Sequence, residues 1–594
     1  MKKLLLILLV IYSTTTIAQQ KIDAAAFEQS SKSLSKNRTI DSNWGVNPTI
    51  GYNAFGKLTD FYRNTQLQGH LVHQSLQLEE IPDFWISGCD FPYIKKKSAR
   101  EVLFANHISI TRFLGGFPQT WKHDGNQLPT NDLIYLDENG KVQYRLPLVY
   151  ARLKPYIENG YTKFTIGIEN IPWAISRDPS KSGPYGATEP PRDWDEWYRF
   201  IKAICMEMKR VYPLEVQKNL NFKIGNEYTQ KKSFTGNQDD FYKLYDYSSK
   251  AILEVFPNAG ILPGEIGGGP ADLSNAVNYV ELFRHLYNGK NAAGDEKPAP
   301  VVTLARSSHS FPEREDLSPM QRVLLSDNSF HQVLDSLPND FTKKLRLEFH
   351  QFGVLTGKDE PNYKFSAVHS ASWHHQVLFR MHAAGRLNRC WNWQPCEKIK
   401  YAKENIMFLS GVGWLYTILD HQLNKDAYLL NYSSSVETNR EYTPTLFTTE
   451  KDITLIISSW SASKTENKKN EISIQIPQNI LPFDLKKKAM FVSLNNASSF
   501  SMLMKKELEV NNNLKTAYSD SDYNTHTIQQ MATDWPKALK MIIANFDSYK
   551  TWQQETLKLK SFADYKIIKQ ANGKPNLLQI SLDPDEVLVL VFKK

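Results

Sequence analysis

Two glutamates, Glu227 and Glu348, stand where acid–base chemistry could be done. Glu227 follows the apolar segment 220–225 and Asn226, and Glu348 closes a second apolar segment that begins at Leu345. Carboxyl groups that face each other across a cleft can divide one reaction, because one protonates a leaving oxygen while the other attacks carbon or activates water. The pair predicts a site of the kind that cleaves glycosidic bonds. Ordinary ion pairing with Lys or Arg is the structural alternative.

The elements that must position this pair are eight strand-like apolar segments that alternate with helical ones. The strand-like segments are 48–53, 108–113, 164–169, 220–225, 260–264, 301–305, 345–349 and 387–393, and the helical ones include 193–211, 239–256, 273–287 and 366–384. Alternation of strand and helix predicts parallel pairing, and eight repeats predict a (β/α)₈ TIM barrel over residues 44–424. Glu227 after strand four and Glu348 after strand seven would then meet at the mouth of the barrel.

The remainder of the chain, residues 425–594, changes character. Strand-like segments follow one another there without a long helix, at 427–432, 453–460, 471–476, 489–494, 538–544, 577–582 and 587–592. This pattern predicts an antiparallel β-sandwich accessory domain behind the α/β barrel, interrupted by an insertion at 496–537. The continuous apolar segment 587–592 is expected to be a central strand.

Further candidate residues lie at other predicted strand ends. Glu169 and Asn170 end strand three, and Trp391 and Trp393 alternate on strand eight. Aromatic rings suit the apolar faces of sugars, and alternation allows only one of the two tryptophans to face the cleft, so Trp391 is expected to form the floor of the sugar site. Trp173 is equally compatible with sugar contact and with packing beneath a loop. Glu265 is expected to brace a glycine-rich segment.

The start of the chain has the pattern of an export signal. Lys2 and Lys3 precede the apolar run 4–12, and Ala18 offers a small residue for cleavage. A run of this length is too short to cross a bilayer. The sequence therefore predicts a signal peptide at 1–18, a lead-in at 19–43 and a periplasmic or secreted protein. Cys390 and Cys396 are close enough in sequence to form a disulfide in such a compartment, and free thiols are the alternative.

Composition and spacing argue against several other classes of protein. The net charge of +8 is spread along the chain, and the lysine runs 95–97 and 486–488 lie in no nucleic-acid recognition motif. There is no Gly-x-Ser-x-Gly elbow of a serine hydrolase, and the glycines at 267–269 lack the Lys-Ser/Thr of a phosphate loop. No His or Cys spacing is typical of zinc, so we expect neither metal nor cofactor, and no nucleic-acid partner.

The order of these motifs resembles the retaining glycoside hydrolases of clan A, and among them family 39. The resemblance rests on Asn226-Glu227 after strand four, Glu348 after strand seven and Arg112 after strand two, on the segment 261–271, and on His309 near strand six. Tyr228 stands where the family commonly has a proline after Asn-Glu. Residues 350–353 also depart from the small polar run that usually follows the strand-seven glutamate.

The resemblance implies a role for each matching residue. It implies that Glu227 is the acid/base and Glu348 the nucleophile of a retaining double displacement on a plant, algal or host glycan. Asn226 would hold the sugar 2-hydroxyl, and Arg112 and His309 would orient Glu348. Apart from the resemblance, the position of His350 two residues after Glu348 is compatible with tuning Glu348 and equally with lining a loop. Two alternatives remain: another clan A family that acts on a modified or sulfated galactan, and a non-catalytic glycan-binding barrel. Oligomeric state is left open.

Overall fold

The structure of the protein is a computed structural model that describes the chain in separate stretches. These are residues 52–57, 65–71, 84–86, 89–90, 108–116, 132–158, 162–183, 186–267, 277–299, 303–310, 318–354, 370–383, 387–392, 396–401, 404–409, 426–434, 440–448, 450–461, 467–476, 489–498, 560–562, 564–571 and 574–593, with single residues or pairs elsewhere. The predicted signal peptide and lead-in, and Trp393, lie outside them.

Strands make up most of the secondary structure in the described stretches. In chain order they are β1 (Tyr52–Lys57), β2 (Thr65–Leu71), β3 (Phe84–Ile86), β4 (Cys89–Asp90), β5 (Ile108–Thr111), β6 (Ile134–Leu136), β7 (Val142–Tyr144), β8 (Phe164–Ile168), β9 (Ser182–Gly183), β10 (Gly186–Ala187), β11 (Leu220–Ile224), β12 (Gly260–Pro263), β13 (Thr303–Ser310), β14 (Arg346–Val354), β15 (Leu387–Asn392), β16 (Cys396–Tyr401), β17 (Glu404–Leu409), β18 (Asp426–Leu430), β19 (Tyr432–Ser434), β20 (Arg440–Thr448), β21 (Asp452–Ser461), β22 (Asn470–Ile476), β23 (Ala489–Leu494), β24 (Lys560–Phe562), β25 (Tyr565–Ile568), β26 (Asn576–Leu582) and β27 (Val587–Lys593).

Helices lie mainly between the strands of the first part of the chain. The α-helices are α1 (Pro147–Glu158), α2 (Trp194–Val211), α3 (Leu214–Gln217), α4 (Gln238–Leu253), α5 (Tyr279–Asn288), α6 (Pro319–Asp335), α7 (Asn339–Thr342) and α8 (Ser370–Ala383), and two 3₁₀ turns lie at Trp173–Ile175 and Asn496–Ser498. The helix α4 begins with a capping box in which Asn237 and Asp240 satisfy each other's backbone N–H groups. No described helix is both long and apolar enough to cross a membrane.

Eight parallel strands form the sheet that carries the candidate residues. Their order is β12-β11-β8-β5-β2-β15-β14-β13, and in the chain they are parallel strands one to eight as β2, β5, β8, β11, β12, β13, β14 and β15. A parallel bridge between Ile266 and Arg306 joins the two ends of this order, with Ile266 N donating to Ala305 O at 2.9 Å. The predictions for strands two to eight are confirmed in position, with ends that differ by up to five residues.

The predicted first strand is wrong. Tyr52–Lys57 pairs antiparallel with Asp426–Leu430 in a different sheet, and the first parallel strand is Thr65–Leu71. Alternation along residues 48–53 indicates a strand but carries no information about its partner, which here lies some 370 residues away in the chain. The segment 52–57 therefore belongs with the C-terminal strands.

The C-terminal strands form a seven-stranded sheet of order β1-β18-β20-β21-β27-β23-β24 and a four-stranded sheet of order β19-β22-β26-β25. Alternate residues of β27 face different neighbours: Leu588 and Leu590 join a core shared with the four-stranded sheet, whereas Val587 and Val589 join the core that includes the parallel strands. The prediction that 587–592 is a central strand is confirmed, because β27 lies between β21 and β23.

In the C-terminal part, the predicted strand at 538–544 is wrong, and the predicted insertion at 496–537 is described only in part. Segment 538–544 is helical where it is described, at Lys540, Met541 and Ala544, and Asn545 N donates to Met541 O as in an α-helix. A short segment that is apolar except for Lys540 fits a helix as well as a strand, which periodicity alone does not separate. Of the expected insertion 496–537, the structure describes only a few residues.

Candidate functional site

Three residues at the carboxyl ends of neighbouring parallel strands have left-handed backbones. Arg112 after β5, Asn170 after β8 and Glu227 after β11 have φ values of 53°, 53° and 42°. Positive φ is uncommon for residues other than glycine, costs on the order of 1–3 kcal/mol, and is concentrated at functional sites. These three residues lie on one edge of the parallel sheet, which makes that edge the candidate site.

Glu227 is held in a tight, buried loop at this edge. A Cβ added at Gly267 would lie 2.6 Å from the Glu227 Cβ, so only glycine fits there. Thr229 Oγ1 donates to Gly267 O at 3.0 Å and accepts from Gly267 N at 3.1 Å, which fixes the loop against the segment after β12. Burial raises the pKa of Glu227, with help from the charge of Glu265, while Lys232 and Ser307 act to lower it. A carboxyl group of this kind keeps its proton to higher pH, as a general acid must.

Below this edge a buried lysine joins two carboxylates. Lys223 Nζ lies 3.1 Å from Glu169 Oε2 and 2.9 Å from Glu265 Oε2, and all three side chains are almost fully buried. Burial opposes the charge on Lys223, but the two glutamates outweigh it and raise the lysine pKa. Burial also raises the pKa of Glu169, whereas the Lys223 charge holds the pKa of Glu265 below its usual range despite burial. Glu169 further accepts from Arg112 N at 2.8 Å.

Strand seven carries Glu348 and His350 into the same interior. His350 Nε2 lies 2.9 Å from Glu348 Oε2, and His350 Nδ1 lies 3.9 Å from Glu265 Oε2. Burial lowers the pKa of His350, and the charges of the two glutamates oppose that shift. The imidazole therefore lies between the two carboxylates and is within hydrogen-bond distance of Glu348.

Gln351 is a site residue that the sequence analysis did not find. Its Nε2 donates to Asn226 Oδ1 at 3.0 Å and to Glu265 Oε1 at 2.7 Å, and its Oε1 faces His309 Nε2 at 3.2 Å. Consecutive strand residues normally face opposite sides, but the register between β13 and β14 shifts after Phe349 so that Ser307 pairs with Gln351. The resulting bulge brings His350 and Gln351 to the same interior.

The structure extends strand seven to Val354, five residues past the predicted end, so Glu348 is the third residue of a nine-residue strand. The sequence pattern placed the end of this strand at residue 349 and left open whether His350 tunes Glu348 or lines a loop. The structure buries both His350 and Gln351 in the polar interior. The signal that could have found Gln351 is the apolar Phe352 and Val354 beyond it, which continue the strand.

The other predicted residues are placed as follows. Asn170 is half-buried with its amide 3.4 Å from Gly116 O, and His309 is buried on β13. Burial lowers the pKa of His309 to about 4, so its ring is neutral near pH 7. The Trp173 side chain is buried, which favours packing over sugar contact, and the Trp173 backbone N–H donates to Asp132 Oδ2 at 2.9 Å. Trp391 lies on β15, but its side chain and all of Trp393 are outside the described residues, as is the pairing of Cys390 and Cys396.

The hydrogen bond from Arg112 to Glu169 is donated by the Arg112 backbone N–H. The expectation that the Arg112 side chain orients Glu348 therefore stays a prediction. Glu265, expected to brace a glycine-rich segment, instead contacts Lys223 and Gln351. Among the residues that the structure describes, no three His, Cys, Asp or Glu side chains are grouped to hold a metal ion.

The known proteins that this chain is similar to are glycoside hydrolases. Residues 72–343 match the model of glycosyl hydrolases family 39. The alpha-1,4-L-rhamnosidase of Formosa agariphila is 22% identical over 315 residues, which cover 51% of this chain and 61% of that protein. The beta-xylosidase of Geobacillus stearothermophilus is 25% identical over 189 residues, 32% of each chain. The chain thus spans less than two thirds of either curated relative.

Two solved structures share the fold. A monomeric beta-xylosidase from Caulobacter crescentus superposes with a TM-score of 0.54 at 13% identity and covers 91% of this chain and 97% of its own. A family 39 beta-xylosidase from the same organism gives a TM-score of 0.51, also at 13% identity, over 91% and 98%. The fold is therefore of the TIM-barrel type, and the relatives that the chain resembles are glycoside hydrolases. Within that class the chain is similar to family 39 of clan A.

Proposed function

We propose that the chain hydrolyses O-glycosidic bonds with retention, with Glu227 as acid/base and Glu348 as nucleophile. The observation that carries the proposal is the placement of Glu227: a buried glutamate with a left-handed backbone and a raised pKa, next to Asn226 at the carboxyl edge of strand four. The match of this part of the chain to family 39 supports the double displacement. Glu348 is proposed as nucleophile because it lies on strand seven and its carboxylate reaches the same polar interior through His350.

In the first step Glu227 donates its proton to the leaving oxygen while Glu348 attacks the anomeric carbon. The bond to the leaving group breaks, and an ester forms between Glu348 and the sugar. In the second step Glu227 takes a proton from water, and that water displaces the Glu348 carboxylate. The sugar leaves with its original anomeric configuration.

For the substrate we propose a glycan that contains L-rhamnose or D-xylose. The support is the names of the two curated relatives, a rhamnosidase and a xylosidase. A modified or sulfated galactan is the second candidate class, and a basic chain with net charge +8 would suit an anionic polysaccharide. Activity that is insensitive to salt up to about 0.5 M would count against that second class, because exposed charges are screened at that ionic strength.

We also propose an accessory β-sandwich built from 425–594 and from the strand at 52–57, with export directed by residues 1–18. The shared apolar core of the seven-stranded and four-stranded sheets supports the sandwich. Proteolysis that releases a folded fragment beginning near residue 425 would argue against this grouping, because that fragment lacks the strand 52–57.

The test of function is a panel of 4-nitrophenyl glycosides that includes α-L-rhamnoside and β-D-xyloside. The unmodified chain should release 4-nitrophenol from at least one of them, and proton NMR of the first product should show the starting anomeric configuration. Glu348→Gln, which removes the proposed nucleophile, should lose that activity, whereas Glu471→Gln, an exposed glutamate on the four-stranded sheet, should keep it. Inverted product would contradict retention. Binding without any hydrolysis would contradict the enzyme and favour a glycan-binding barrel.

A further inference from the structure

Resting on the proposed function, we propose that Gln351 is a positioning residue that orients Asn226 so that the Asn226 amide N–H₂ faces the sugar hydroxyl beside the cleaved bond. Gln351 is almost fully buried, whereas Asn226 is partly exposed at the strand-four edge next to Glu227. The link between them is the 3.0 Å contact from Gln351 Nε2 to Asn226 Oδ1.

The orientation of Gln351 is set by Glu265. An ionised carboxylate has no proton to donate, so the end of the Gln351 amide that lies 2.7 Å from Glu265 Oε1 must be the N–H₂ end. Lys223, 2.9 Å from the other oxygen of Glu265, keeps that carboxylate ionised. The charge pair Lys223–Glu265 therefore fixes which way the neutral amide points.

The same N–H₂ group has a second proton, and that proton goes to Asn226. Because Gln351 donates, Asn226 must present its oxygen to Gln351, and its own N–H₂ group, at the other end of the planar amide, then points away from Gln351. Asn226 precedes the proposed acid Glu227, which stands at the glycosidic oxygen, and the nearest hydroxyl to that oxygen is on the carbon beside the anomeric carbon. Asn226 is thereby prepared as a donor to that hydroxyl.

Gln351 also determines that Nε2 of His309 carries a proton. Its Oε1 can only accept, so His309 Nε2, at 3.2 Å, carries the proton. One neutral amide therefore fixes both Asn226 and His309, and a carboxylate at position 351 would fix neither in this way. A glutamate there would lie 2.7 Å from Glu265, and it would accept from the Asn226 N–H₂ group and turn that amide away from the sugar.

The test measures binding, so that it is separate from hydrolysis. In a Glu348→Gln background, which lacks the proposed nucleophile, isothermal titration calorimetry would give the Kd of 4-nitrophenyl α-L-rhamnoside, 4-nitrophenyl β-D-xyloside and the 2-deoxy analogue of each. One neutral hydrogen bond is worth about a 5-fold change in Kd, so the better parent glycoside should bind about 5-fold more tightly than its analogue. Adding Gln351→Met or Gln351→Glu should bring that ratio close to one, with the unfolding transition retained.

Two further variants separate positioning from a structural role. Gln579→Met, on the four-stranded sheet, should leave the ratio at about 5. Glu265→Gln should lower the ratio by itself and add nothing to Gln351→Met, because both act through the same amide. A ratio that survives in a folded Gln351→Met protein, or a background protein that binds none of the four glycosides, overturns the inference. A protein that binds with this preference but does not hydrolyse contradicts the proposed function and leaves the inference intact.

Discussion

The interior beneath the parallel strands and the core between the two C-terminal sheets are built from opposite kinds of residue. The first buries Lys223 with its Nζ within 3.1 Å of carboxylate oxygens of both Glu169 and Glu265, and Glu348 and His350 lie beside them. The second is lined by aliphatic side chains on alternate positions, such as Leu455, Ile474, Ile580 and Leu590. Both regions are almost inaccessible to water.

Burying a charge costs free energy that its ion pair recovers only in part, and an apolar replacement is often more stable. A core whose role is stability therefore becomes aliphatic, as between the two sheets. Charges that stay buried point to another role, and the contacts from Lys223 through Glu265 and Gln351 to Asn226 show where that role is. The contrast supports the proposal that the carboxyl edge of the parallel strands is the functional one.

The largest expected effect comes from Glu227. Glu227→Gln should lower kcat/KM for a glycoside with a poor leaving group by about 10³-fold, because general acid catalysis contributes about 10²–10⁴-fold. Leaving groups that need no proton should lose much less. Steady-state kinetics on an aryl and an alkyl glycoside would check this, and equal losses on both would exclude Glu227 as the acid.

Glu227 should also determine how kcat/KM depends on pH. As the acid, Glu227 must be protonated, so kcat/KM should fall as pH rises through its raised pKa in the free enzyme. The limb of the pH profile on the alkaline side should therefore lie above the usual range of a glutamate. A profile that is flat there, or that keeps the limb in Glu227→Gln, would assign the limb to another group.

The next largest expected effect is on stability and comes from the buried Lys223. Lys223→Met removes the cation shared by Glu169 and Glu265, and should cost about 3–5 kcal/mol of unfolding free energy near pH 7 because two buried carboxylates lose their partner. Denaturant unfolding would measure it. The loss should shrink as pH falls and the carboxylates take up protons, and a loss that does not change with pH would contradict the electrostatic explanation.

In the aliphatic core the corresponding change is Leu455→Ala. It should cost about 2–4 kcal/mol by cavity formation and lost burial, with no dependence on pH in this range. Glycoside hydrolysis per folded molecule should be unchanged. A drop in kcat for the folded fraction would show that the two regions are coupled more closely than the contrast between them implies.

The sequence anticipated the parallel strands and their order because alternation of strand and helix leaves few topologies open. It did not find the true first strand, since the partner of Tyr52–Lys57 is chosen by tertiary pairing with Asp426–Leu430. It also assigned a strand to 538–544, where apolar spacing fits both a strand and the helix that Met541 and Asn545 form.

At the candidate site, sequence reasoning favoured groups that titrate and named Glu227, His309 and Glu348, whose roles stay predictions. Sequence reasoning did not find Gln351, a neutral amide. The position of Gln351 depends on a bulge in β14 that no local sequence pattern predicts. Lys223 was also missed, although a lysine inside an apolar strand is itself a signal, because such a residue is retained only with buried partners.

The smallest expected effects compare two buried histidines, one in each region. Burial lowers the pKa of His309 to about 4 and that of His375, which contacts Ser458 and Thr445, to about 3. Below pH 6.5 the unfolded chain binds protons that the folded chain does not. The free energy of unfolding should therefore decrease as the pH is lowered, by about 1.4 kcal/mol per pH unit for each histidine. The loss should continue to about pH 4 for His309 and about pH 3 for His375.

Unfolding free energies from pH 7 to 5 would show a shallower slope in His309→Gln and in His375→Gln. Only the His309 variant should also change sugar binding, because His309 contacts Gln351 and His375 lies where α8 meets the seven-stranded sheet. If both variants change binding alike, the separation of the two regions fails.

The central claim is that the chain forms a glycosyl ester on Glu348 with Glu227 as its acid. The most direct measurement is to react the protein with an activated 2-deoxy-2-fluoro glycoside of the sugar that it cleaves, and to map the labelled peptide by mass spectrometry. The fluorine slows the second step more than the first, so the ester accumulates. The account predicts one sugar per chain on Glu348 and none in Glu348→Gln. A label on Glu265, or a hydrolysing protein that never becomes labelled and releases inverted sugar, would contradict it.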